Sequence, residues 1–140
     1  MKLIAALAFL LQASTGSPQP ADHCPTLPAD SAMTWTYQQG PDFGVCYAVD
    51  SVTKKDAFGV YLGFAPSFNP ESAKAIGRGN VGGHKVKWYA RDPSSDPSEF
   101  SRETLVKLDR QGNVAHVWVA AKSEQQLAQR LGVLRRLHFQ

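Results

Sequence analysis

The sequence encodes an α+β domain: a single antiparallel, meander-like β-sheet of about five to six strands with a C-terminal α-helix packed across one face. Three observations carry this expectation. Apolar and polar side chains alternate with period 2 in successive runs between Thr34 and Ala121. Short turn-forming stretches separate those runs, so neighbouring strands pair as hairpins. A stripe of leucines at helical spacing, Leu127, Leu131, Leu134 and Leu137, closes the chain.

The chain has 140 residues, the size of one domain. It opens with Lys2, an unbroken apolar run from Leu3 to Leu11, and then small residues. A charged start, a short apolar stretch and a small-residue exit define a secretory leader, here cleaved after Ala13 or Gly16. Residues 1–16 are therefore read as a signal peptide, 17–33 as a proline-rich linker and 34–140 as one globular domain. The apolar run falls short of the about 20 residues that span a bilayer, so the mature chain is expected to have no transmembrane segment. Its expected location is periplasmic or secreted. Pro18, Pro20, Pro25 and Pro28 make the linker extended rather than packed.

Cys24 and Cys46 are the two cysteines. In an oxidising compartment such a pair is a disulfide, and its spacing is too long for a C-x-x-C redox site. The formal charge of +3 drops to +2 when Lys2 leaves with the leader. So small an excess is no nucleic-acid signature, and export removes that partner further. Phosphate-rich or acidic envelope surfaces remain as partners, alongside proteins.

The strands follow in order. Thr34–Tyr37 is a short strand ended by Gly40 and Pro41. Phe43, Val45, Tyr47 and Val49 alternate with Gly44, Cys46 and Ala48; Phe58, Val60, Leu62 and Phe64 alternate with Gly59, Tyr61 and Gly63. Val86, Trp88 and Ala90 alternate with Lys85, Lys87, Tyr89 and Arg91, and Val106 and Leu108 with Leu105 and Lys107. The last strand runs over 114–121, after a hairpin loop at Asp109–Asn113 in which Gly112 supplies positive φ. Between strands, Pro66–Lys74 holds a candidate helical turn after Asn69, and Asp92–Pro97 a solvated turn. The helix is expected over 123–137. Ser123 and Gln126 form a capping box, Glu124 sits in the first turn, and Arg135, Arg136 and His138 crowd the last.

No catalytic residue is assigned. Gly77, Gly79 and Gly82 match G-x-G-x-x-G, but a β-patterned segment follows where a dinucleotide site needs a helix. A flexible or bulged strand entry is the expected role of these glycines. The alternative is a small secreted hydrolase or transferase, with Arg78 and Gly79 holding an anion and His84 as base. The four histidines have no metal-ligand spacing, although His84 and His116 both open strands of parallel sense; neither metal nor cofactor is expected. Glu99, Glu103 and Asp109 are expected to be solvated.

Sorting by parity places Phe43, Val45, Phe58, Val60, Leu62, Phe64, Val86, Trp88, Val106 and Leu108 under the helix. The opposite face then gathers Tyr61, Lys87, Tyr89, Arg91, Lys107, His116 and Trp118. Aromatic side chains with arginine supply binding energy at interfaces. They also stabilise sheets as cross-strand pairs without any ligand. The sequence thus points to an exported binding or accessory protein, leaning away from an enzyme, whose aromatic-basic face meets an unknown protein or envelope component.

Overall fold

The period-2 runs become seven antiparallel strands, one more than expected: β1 (Met33–Gln39), β2 (Gly44–Asp50), β3 (Asp56–Gly63), β4 (Ala75–Val81), β5 (His84–Ala90), β6 (Arg102–Lys107) and β7 (Val114–Val119). The computed structural model describes residues 23–70, 74–91 and 100–140. The signal peptide, the front of the linker, the Asp92–Pro97 turn, Glu99 and the core of the candidate turn after Asn69 lie outside them. All seven strands form one sheet in the order β1-β2-β3-β7-β6-β5-β4. Two meanders, β1–β3 and β4–β7, are joined side by side where β3 pairs with β7.

The added strand is the glycine-rich segment. β4 forms one edge of the sheet and pairs with β5, with a register shift between Ala75 and Gly77, the bulged entry that its glycines suggested. A Cβ on Gly79 would lie 2.8 Å from Trp88 Nε1, so this position leaves room for the buried indole beneath it. Gly82 and Gly83 have φ of +55° and +83°, the two positive values a tight hairpin between twisted strands requires. The motif therefore builds an edge hairpin. β5 and β6 pair at Tyr89–Glu103 and Ala90–Arg102, and beyond them the Thr104 hydroxyl donates to the Lys87 carbonyl at 2.6 Å.

Helix α1 (Glu124–Arg135) packs on the sheet against β4 and β7. Ser123 caps it by accepting from Gln126 N at 3.0 Å, while Gln126 Oε1 reaches back to Lys122 N at 2.8 Å, one residue before the cap. Leu127, Val133, Leu134 and, just beyond the helix, Leu137 are buried; Leu131 is only partly so. Against them lie Phe58, Val60, Val86, Trp88, Val106, Val117 and Val119.

Two expectations need correction. The segment from Cys24 onward is a packed strap, not a loose linker. Cys24 and Cys46 are joined with their Cα atoms 5.9 Å apart, Trp35 Nε1 donates to the Pro25 carbonyl at 2.7 Å, and Thr26 pairs antiparallel with His138. Strand β2 is also turned over. Gly44, Cys46 and Ala48 face the core, and Val45, paired with Tyr61, lies on the opposite side with Phe43. The strap and the rings of Trp35 and Phe58, 5.6 Å apart, fill the volume there, leaving space only for small side chains on β2. Phe64 is exposed past the end of β3.

Candidate functional site

The sheet face away from α1 carries all seven residues expected there, and cross-strand pairing sets them in rows. One row runs Tyr47, Gly59, Trp118, Glu103, Tyr89; the next runs Val45, Tyr61, His116, Leu105. Gly59 is glycine because the Trp118 indole lies across it, and a Cβ would overlap Trp118 Cζ2. From that position Trp118 meets Tyr47 edge-on at 6.1 Å and His116 at 5.2 Å between ring centroids. The Arg91 guanidinium sits 5.3 Å above the same indole. Tyr61 stacks on Phe43 at 5.5 Å.

β7, β6 and β5 separate β3 from the edge strand β4, and the connection between the two carries Phe68 onto this face. Phe68 lands on the middle of it, 5.4 Å from both His116 and Tyr89. His116 is thereby 5 % exposed, so the ring is covered rather than presented. Its Nε2 lies 2.9 Å from Glu103 Oε1. A carboxylate only accepts, so Nε2 carries the proton. Burial pushes the His116 pKa below its ordinary value; the hydrogen bond and charge of Glu103 pull it up, and Arg91 adds a downward push. Glu103, expected in solvent, is instead this partly buried partner, because β6 places it beside Trp118.

Lys87 and Lys107 are exposed on the same face, beyond the aromatic cluster. Arg78 stands across from Lys87, and Asn80 across from Lys85. The β4–β6 half of the face is therefore basic, and none of Arg78, Lys85, Lys87 and Lys107 is ion-paired among the described residues. Arg78 does not meet His84. Gly79 and His84 share the helix-side parity, and the His84 ring lies 5.8 Å from Phe139. The anion-and-base site of the hydrolase alternative is thus split across the sheet, and His84 and His116 are likewise on opposite faces. Among the described residues no group of three His, Cys, Asp or Glu side chains converges as metal ligands.

The sequence reading missed Tyr47, Phe43 and Phe68 on this face. Parity would have found the first two had Cys46 been used to orient β2, since its disulfide partner must share its side. Phe68 lies on an aperiodic connection, where no pattern assigns a face. The arrangement offers half-buried rings for stacking beside free cations for anionic groups. No family model, curated protein or solved structure matches the chain.

Proposed function

We propose that this chain is an exported binding domain that holds an acidic polymer of the cell envelope against its helix-free face. The observation that supports this reading is the seam at which Arg91 lies over Trp118. There a ridge of rings, Tyr61, Trp118 and Tyr89, adjoins the cations Lys87, Lys107 and Arg78. Rings of this kind stack on sugar planes, and free lysines and arginines meet carboxylates or phosphates along the polymer. His116 and Glu103 hold Phe68 and Trp118 in place from beneath and do not touch the ligand.

The test titrates the oxidised protein with an acidic polysaccharide such as alginate, using neutral dextran as control, and follows tryptophan fluorescence. Lys87→Glu with Lys107→Glu changes two exposed side chains and leaves the core intact. The expected result is saturable alginate binding that weakens about tenfold or more in the variant and falls with added salt. Equal affinity in variant and parent refutes the assignment. Equal binding of dextran would show that stacking alone, without the cations, selects the ligand.

A further inference from the structure

A cleft of about 390 Å³ opens where the turn between β2 and β3 meets the start of α1, bordered by Thr53, Lys55, Asp56, Lys122, Gln126 and Arg130. Arg130 does not follow the pattern of its helix. It is 6 % exposed, close to Leu127 one turn earlier at 5 %. Its Nη1 donates to the Ala120 carbonyl, and its Nε has no acceptor among the described residues. A desolvated guanidinium with an unanswered N–H is costly to keep in a fold.

We infer that this cleft is a binding site for a small oxyanion, a phosphoryl or carboxylate group, held by Arg130, Lys55 and Lys122 at the N-terminus of α1. The planar guanidinium is suited to oxygen pairs on such groups. Gln126, in the first turn of α1, lines the same space. Lys55 and Lys122 are exposed and free of ion pairs among the described residues. The opposing charges are Asp56 in the wall and Asp50 near Arg130. Asp50 lies outside the wall, keeps its charge toward Arg130, and is fixed by its Oδ1 accepting from Val52 N at 2.7 Å and Thr53 N at 3.2 Å. Thr53 Oγ1 accepts from Lys55 N at 3.3 Å, which leaves its hydroxyl proton for the ligand. Three cations thus border the cleft against one carboxylate in its wall. The site involves none of the aromatic residues of the opposite face, so it stands or falls separately from the polymer-binding proposal.

Nitrogen–proton NMR of the full oxidised protein tests it, with inorganic phosphate and acetate added in separate titrations at constant ionic strength and sodium chloride as reference. Saturable shifts are expected at the Arg130 Nε–H and at the amides of Thr53, Lys55 and Lys122–Gln126. Tighter saturation by phosphate assigns a phosphoryl ligand; tighter saturation by acetate assigns a carboxylate. Lys55→Gln with Lys122→Gln, both at the surface, should keep the fold and weaken binding about tenfold. Arg130→Met should abolish saturation, and should it unfold the protein the lysine variant decides. Shifts that grow linearly with all three salts, or unchanged affinity in the lysine variant, would overturn the inference.

Discussion

Reducing the Cys24–Cys46 bond should lower the stability of the domain by about 3 kcal/mol. The cysteines are separated by 22 positions in sequence. On the chain-entropy account, releasing a loop of that size restores about 3 kcal/mol of unfolded-state freedom at 25 °C. Both cysteines are buried, and as thiols their sulfurs need only separate to non-bonded contact, so little packing is lost and loop entropy sets the size of the effect. For the 107 described residues the unfolding entropy converts this to a drop of about 10–15 °C in Tm. Scanning calorimetry with and without dithiothreitol, at equal pH and protein concentration, reads it directly. The strap beyond the bond is held by Trp35 on Pro25 and by the Thr26–His138 pairing, so the reduced protein should still fold. Transitions within about 2 °C of one another would show that those contacts, and not the cross-link, hold the strap, and would refute the entropy reasoning.

Further outcomes follow from the same geometry. Gly59→Ala should push the Trp118 indole off β3, cost about 1–3 kcal/mol in urea unfolding and change the tryptophan emission; unchanged emission would contradict the placement of that ring. Ala48→Leu, on the core face of β2, should cost about 1–3 kcal/mol by overpacking, whereas Val45→Thr, on the far face of the same strand, should cost less, and the reverse order would mean that β2 is turned the other way. Ser123→Ala should cost about 1 kcal/mol, read from the urea midpoint. His116 should titrate below 6.5, its value in the unfolded chain, when followed by ring-proton NMR. Between pH 6.5 and that lower midpoint the unfolded chain binds more protons, so stability falls as pH drops through this window and levels off beneath it. Glu103→Gln removes the carboxylate charge while its amide oxygen still accepts from Nε2, and should lower the midpoint further, while a parent midpoint at or above 6.5 would contradict the burial of the ring. Asp30 and Asp109, whose pKa values lie below the ordinary 3.8, favour the folded state above that pH and lose this contribution only in more acidic solution, outside the His116 window.

How far the sequence led depended on what kind of signal each element carried. β3, β5, β6 and β7 alternate between clearly different side chains, and parity placed Tyr61, Lys87, Tyr89, Arg91, Lys107, His116 and Trp118 on the face they occupy. β2 is apolar at both parities, so side-chain size was read as burial, and the choice reversed. The disulfide held the missing information, because Cys46 faces the strap and carries Gly44 and Ala48 with it. β4 escaped because glycine has no side chain to alternate. Its strand character comes from pairing with β5 and from the space needed by Trp88. Phe68 and Arg130 were out of reach for another reason. One sits on a connection whose path is set by sheet order, and the other is a charged residue whose burial no amphipathic pattern foretells.

The proposed polymer-binding role of this face is tested most directly by mapping where a ligand touches. Amide and indole signals of the oxidised protein should be recorded while alginate is added at low salt. Saturable changes are expected at the Trp118 indole N–H and at Tyr61, Lys87, Tyr89, Arg91 and Lys107, with Leu127, Val133 and Leu134 beneath the helix unmoved. Changes centred on the helix side, or a response no greater than that to dextran, would contradict the assignment of this face.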